Sequence, residues 1–224
     1  MLIQNNFTPN NSQQKPSFGA LKIATAKNFV KGAETSIDIY KLEKKDHNFI
    51  EFLEENVDYH KLAPTIRKDL QDRWQKVFRY CIERIKSGEN DSFIAVSDNK
   101  PCGIFTYIID SCSAYLDAVC KIPNLENEVH LAGKTMILSF LKSAEKTNSK
   151  TVTLDAVKDG PVDVISLYEK LGFKKVYNSI DDGVYQPMEM NKFKLKEQLK
   201  NLEKLINYKD IKKSEEINLF DVAG

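Results

Sequence analysis

The sequence has no run of ~18 apolar residues, the length that a bilayer-spanning helix needs, so no membrane-crossing helix is expected. A secretory signal is missing too: after Met1-Leu2-Ile3 the chain reads Gln4-Asn5-Asn6, too polar for an apolar signal core. Charge of one sign is absent, because 33 Lys and Arg face 32 Asp and Glu and leave +1. That excludes a nucleic-acid binder relying on a bulk basic field, and neither a nucleic-acid nor a membrane partner is expected. Cysteine is scarce: Cys81, Cys102, Cys112 and Cys120 form no CxxC pair, and no histidine stands at zinc-finger spacing from them. Neither a disulfide framework nor a metal site is expected. Cys112 and Cys120 read as small hydrophobes, and a reducing cytoplasm is the expected compartment. No internal repeat is visible.

What is present is ordinary globular material. The 224 residues are 42% hydrophobic and 29% charged, enough for one real core, so one domain with extensions is the simplest organisation. Seven of the first fourteen residues are Asn or Gln, and residues 1–34 read as a disordered or loosely packed leader. A half-buried strand is expected over 35–43, where Ile37, Ile39, Tyr40 and Leu42 alternate with polar residues. Asp46 suits the cap of a short helix carrying Phe49, Ile50 and Leu53. Pro64-Thr65 opens a longer one with the stripe Leu70, Trp74, Val77, Cys81 and Ile85, and Ser87-Gly88 ends it.

The period then changes. Ser92–Ser97 and Cys102–Ile109, joined by Asp98-Asn99-Lys100-Pro101, read as a hairpin, and Ala114–Ile122 as a third strand broken by Pro123. A helix from Gly133 carries Ile137, Leu138 and Leu141. Thr151–Val157 is a strand, Val162–Leu171 a helix stopped by Gly172, and Phe173–Tyr177 and Val184–Met190 are closing strands. In the extension from 194 to 224, Leu195, Leu199, Leu202 and Ile206 mark one amphipathic helix, followed by the charge run Lys209–Glu216.

Individual residues have plain readings. His47 and His60 lack a partnered nucleophile and read as surface residues, and Trp74 reads as core. Ala132-Gly133-Lys134-Thr135 ends like a phosphate-binding P-loop. Glu128, however, occupies the position of that motif's first glycine, so its cradle cannot form.

The order strand, two helices, three strands, helix, strand, helix, two strands over about 35–193 resembles the GNAT superfamily of acyl-CoA-dependent N-acetyltransferases. Three features carry the likeness: the hairpin Phe93–Ile109 with Gly103 early in its second strand, the strand, loop and glycine-opened helix from Ala114 to Leu141, and Leu167-Tyr168-Glu169-Lys170-Leu171-Gly172-Phe173, which looks like the family's "LYEKLGF" segment. The resemblance implies an α+β fold: a central mixed, mostly antiparallel sheet of about six to seven strands flanked by helices, here with an extra C-terminal amphipathic helix. It implies acetyl-CoA as co-substrate, no metal, and transfer of an acetyl group to a primary amine by direct attack.

By the same resemblance the acyl donor lies between splayed middle strands and the helices 46–57 and 65–86 wall the acceptor side. Tyr168 faces the departing sulfur, and a phenol there can donate to the thiolate. The oxyanion meets a backbone N–H around Val119, Cys120 and Ile122. The family's Arg/Gln-x-x-Gly-x-Gly/Ala loop matches His130, Leu131, Ala132, Gly133, Lys134 and Thr135, where a helix N-terminus suits a pyrophosphate. His130 replaces the usual Arg or Gln, Thr135 the second small residue, and Pro161 an Asn common seven residues before the tyrosine. An amine with a pKa of about 10.4 must lose a proton before attack. Candidate bases are Asp117, first choice for its strand position, and Glu126, Glu128 and His130. The altered loop and the added helix motivate an alternative: a catalytically lapsed module that binds acyl-CoA or a protein partner. The C-terminal helix is the surface expected for such a partner or for a homodimer, and its leucine stripe decides between an exposed and a packed role.

Overall fold

The computed structural model describes residues 19–30, 33–123, 129, 131–158, 162–177, 183–212 and 216–223. The expected mixed, mostly antiparallel sheet flanked by helices is present, with ten strands among the described residues rather than about six to seven. Strand β1 (Ala20–Val30) and β2 (Ala33–Leu42) form a hairpin, followed by helices α1 (His47–Asn56), α2 (Tyr59–Leu62) and α3 (Lys68–Ser87). Next come β3 (Asp91–Ser97), β4 (Lys100–Ile109), β5 (Ser113–Lys121), α4 (Ala132–Lys146), β6 (Thr151–Val157) and α5 (Val164–Lys170). The chain closes with β7 (Lys174–Lys175), β8 (Tyr185–Asn191), α6 (Lys192–Leu205), β9 (Ile206–Asp210), β10 (Glu216–Ile217) and α7 (Leu219–Ala223). The sheet order is β10-β1-β2-β3-β4-β5-β6-β8-β7, with β9 also on β1.

Three of these strands differ from the sequence reading. Strand β1 lies inside the stretch read as a leader, and β9 and β10 pair with it from the C-terminal extension. Its inward positions are Ala20, Ala24, Ala26 and Asn28, all fully buried. These positions carry small or polar side chains, so the large alternating residues that announce a strand are missing. Helix α3 starts at Lys68, three residues later than Pro64-Thr65 suggested, and the short α2 precedes it. It ends as expected, with Gly88 at φ 67° in the left-handed conformation that glycine adopts without steric cost. The β3–β4 turn is two residues long, Asp98 and Asn99 at φ 50° and 56°, the geometry matched to strand twist in a tight hairpin. Lys100 and Pro101 are the first residues of β4 and not part of the turn.

The sheet is covered on both faces. On one, α4, α5 and α6 pack over a core built around Phe93, Phe105, Met136, Phe140 and Leu154. On the other, α1, α3 and α7 pack over Phe49, Phe78, Ile82, Ile94 and Ile104. The leucine stripe of α6 is buried, with Leu195, Leu199 and Leu202 at 1–3% exposure against the first core. It is therefore a packing face of this chain and not an open partner surface. Neighbouring α7 docks Phe220 against Phe49 and Phe52, with ring centroids 5.2 and 5.5 Å away.

Candidate active site

The centre of the sheet contains its one described parallel pair, and it is short. Strands β5 and β6 pair only from Ser113↔Thr151 to Leu116↔Leu154. Beyond that rung they part. The cause lies in the register of β5 on β4: Thr106 pairs with Ala118 but Tyr107 with Leu116, which leaves Asp117 as an extra bulged residue. The bulge also exchanges the strand's faces. Ala114 and Leu116 join the core under α4, whereas Ala118, Cys120 and Ile122 join the core under α3. Asp117 and Asp155 are thus the first residues past the last rung.

A cavity of about 570 Å³ occupies this fork. Its strand walls are Tyr115–Val119 of β5 and Leu154–Val157 of β6; α3 adds Trp74, Val77 and Tyr80, and α5 adds Val164 and Tyr168. Arg73 and Lys76 of α3 and Gly183–Tyr185 complete the wall. The candidate catalytic residues Tyr168 and Asp117 are therefore brought together around one space, with Val119 between them.

Asp117 is held rather than presented. Its side chain is 3% exposed. It accepts hydrogen bonds from Tyr80 Oη at 2.8 Å, Asn90 Nδ2 at 2.6 Å and Thr106 Oγ1 at 3.1 Å, and the Arg84 guanidinium lies 3.4 Å away. Arg84 also donates to the Tyr80 hydroxyl at 2.9 Å and lies over its ring. Tyr80, not Asp117, is the more exposed member of this network. Burial, offset in part by Arg84, keeps the Tyr80 phenol protonated well beyond neutral pH. The second carboxylate, Asp155, is exposed and accepts from Tyr115 Oη at 3.0 Å. Burial and that carboxylate push the Tyr115 phenol up.

Tyr168 is 7% exposed, packs edge-on against Phe173 and lines the cavity. Among the described residues nothing hydrogen-bonds its hydroxyl. Burial pushes its pKa well up, so the neutral, donating phenol is the form present at pH 7.

Other expected positions fall elsewhere. Ile122 N donates to Cys102 O at 3.0 Å, so this N–H is already used. Alternation along an antiparallel pair then directs the N–H groups of Cys120 and Ala118 toward β4 and that of Val119 toward the fork. Cys120 and Ile122 place their side chains in the α3-side core, and Cys120 Sγ meets Tyr59 Oη at 3.1 Å. Of the three oxyanion candidates, only Val119 both lines the cavity and turns its amide to it.

Leu131, Ala132, Gly133, Lys134 and Thr135 form the start of α4, outside the cavity wall. Leu131 is the N-cap at φ 63°, a conformation that costs a non-glycine residue ~1 kcal/mol or more, with no side-chain cap. The first described intrahelical bond at this end runs from Thr135 N to Leu131 O at 2.8 Å, so the amides of Ala132, Gly133 and Lys134 precede the ladder. A Cβ on Gly133 would meet nothing within 4 Å, which leaves space for a ligand there. Thr135 differs from the expectation: it is fully buried, its hydroxyl is unpartnered among the described residues, and it faces the core. The groups at this end able to contact an anion are therefore the backbone amides and Lys134. His130, Glu126, Glu128 and Pro161 lie outside the described residues.

Tyr80, Tyr115 and Asp155 were not singled out by sequence reasoning, and Trp74, read as core, is half-buried at the cavity wall. Asp155 does carry a signal, as the one charged residue of the strand Thr151–Val157. Tyr80 lies off the apolar stripe of α3 and carries none. Among the described residues no group of three or more His, Cys, Asp or Glu side chains could hold a metal.

No family model and no curated protein matches the sequence. Solved structures do match. An uncharacterized protein from Bacillus halodurans superposes over 82% of this chain and 98% of its own, at 9% identity and a TM-score of 0.54. PaiA N-acetyltransferase from Thermoplasma acidophilum, in complex with coenzyme A, covers 69% of this chain and 98% of its own at 23% identity and 0.48. FdhC, a nucleotide-linked sugar GNAT, covers 83% and 97% at 19% identity and 0.49. Identities this low speak to the fold alone. The element order, the mixed and mostly antiparallel sheet and the splayed middle strands are the arrangement the resemblance implied, and the chain has a GNAT-type fold.

Proposed function

We propose that this protein is an acetyl-CoA-dependent N-acetyltransferase that acts by direct attack of a primary amine on the thioester. The observation that carries it is the fork between β5 and β6. It joins the two faces of the sheet through one cavity, walled by Val164 and Tyr168 of α5 on the face that α4 covers and by aromatic and carboxylate side chains on the other.

The residues present fit the donor. The amides at the start of α4 and the positive end of its dipole suit a pyrophosphate, and Gly133 leaves room for it. Acetyl-CoA supplies the activated acyl group. The chain supplies the rest: the Val119 N–H meets the carbonyl oxygen as it gains charge, and Tyr168 donates to the departing sulfur. Asp155, exposed at the fork, takes the amine's proton directly or through a water. Asp117, saturated with donors, acts behind Tyr80, whose hydroxyl orients the amine.

Calorimetric titration with acetyl-CoA tests the reading. Micromolar binding is expected for the native protein and for Gly133→Ala, and at least thirty-fold weaker binding for Gly133→Glu. That variant places a carboxylate where the phosphates sit, and its Cβ meets no neighbour. No binding at millimolar acetyl-CoA overturns the proposal. Binding without thiol release over a broad amine panel identifies the lapsed module instead.

A further inference from the structure

The acceptor half of the cavity has a composition of its own. On the α3 side of the sheet the fork is walled by Trp74 and Tyr80 of α3 and Tyr115 of β5. Two of these rings are pinned at their polar tips, Tyr80 by Asp117 and Arg84, Tyr115 by Asp155. Rings fixed in this way keep their faces in place without a ligand, so an apolar body loses little in ordering them. The exposed carboxylate, Asp155, lies at the first position past the last β5–β6 rung, beside the point where the acyl group is delivered. An ammonium meeting Asp155 there has aromatic faces around its body.

The mouth carries the opposite charge. Lys76 is exposed on the same wall, four residues before Tyr80 and so about 6 Å farther along the helix axis. A second ammonium reaching outward from an amine at Asp155 would run into its side chain.

We infer that the acceptor is a monoamine on a planar or apolar body, an arylalkylamine-like primary amine, and not a polyamine. This rests on the acyltransferase reading for the site's use, while binding at the wall is read separately.

Trp74 is the single tryptophan of the chain and lines the cavity, so its emission reports occupancy directly. The full-length protein is titrated with 2-phenylethylamine, butylamine and spermidine, with and without acetyl-CoA, and Asp155→Asn is titrated alongside. Expected is half-saturation by 2-phenylethylamine at a concentration at least ten-fold below either other amine. Asp155→Asn should weaken it at least ten-fold while acetyl-CoA binding by calorimetry stays within two-fold. Equilibrium dialysis with labelled 2-phenylethylamine replaces the optical signal if emission does not change. A margin below ten-fold, tighter binding of spermidine, or no binding of 2-phenylethylamine at 10 mM overturns the inference. Failure of acetyl-CoA to bind overturns the acyltransferase reading and leaves the amine preference standing on its own titration.

Discussion

At the scale of single residues, the bulge at Asp117 concentrates most of the site's chemistry. A buried carboxylate is costly unless it is paired and hydrogen-bonded, and here Tyr80, Asn90, Thr106 and Arg84 all converge on it. Removing the carboxylate leaves three donors without this acceptor and Arg84 with the more distant Glu89, at 3.7 Å, as its ion partner. Asp117→Ala is therefore expected to lower stability by about 3–5 kcal/mol, read as a shift of the urea midpoint. Tyr80→Phe removes two hydrogen bonds, one to Asp117 and one from Arg84, at a half-exposed position and is expected to cost about 1–2 kcal/mol. If both variants unfold at the native midpoint, the network is not structural and Asp117 must be re-read as an open base. The same residue shows where sequence reasoning stops. That Asp117 stands at the centre of the sheet follows from its strand. That it is surrounded by donors follows from a register shift on β4 and from side chains 27 and 37 residues away, which no local pattern encodes.

At the scale of elements, legibility follows the size of the inward side chains. Helix α6 was readable because Leu195, Leu199 and Leu202 repeat at helical spacing, and each is buried. Strand β6 was readable residue for residue, since Val152, Leu154 and Ala156 alternate with polar neighbours. Strand β1 was not, because alanines fill its interior, and β9 was hidden in a charge run whose lysine and aspartate sit on an exposed face. Helix α3 was readable as a helix but not as a wall: Trp74 and Val77 belong to the stripe, yet they line a cavity where the stripe leaves the core. The packing of α6 makes a sharp contrast. Leu199→Ala creates a void between α6 and α4 and is expected to cost about 2–5 kcal/mol in urea unfolding. Phe193→Ser, on the same helix at 88% exposure, is expected to stay within about 0.5 kcal/mol of the native protein. Equal effects would mean that the outer face of α6 is covered by another chain in solution.

At the scale of the whole molecule, the fork opens the sheet between its two covered faces, and under the proposed function donor and amine meet there. That geometry bears on the order of events. An acyl-enzyme route needs a nucleophile inside the fork, and among the described lining residues there is no Cys, Ser, Thr or His. The thiols are elsewhere. Cys81, Cys102 and Cys120 are buried, and burial pushes the pKa of Cys102 and Cys120 to about 12, so at neutral pH they are neither accessible nor ionised. Cys112 is exposed, but it lies at the β4–β5 turn, before the first β5–β6 rung and away from the fork. A thiol reagent at pH 8 should accordingly modify one cysteine in the native protein and four after denaturation. With no Cys, Ser, Thr or His among the described lining residues to hold the acetyl group between half-reactions, the proposed direct attack requires both ligands together. Initial rates measured against acetyl-CoA at several amine concentrations should give intersecting double-reciprocal lines. Intact-mass spectra after incubation with acetyl-CoA alone should show no retained acetyl group. Parallel lines with an acetylated protein would place a nucleophile in the fork and overturn direct attack, while leaving the fold and the donor site as they stand.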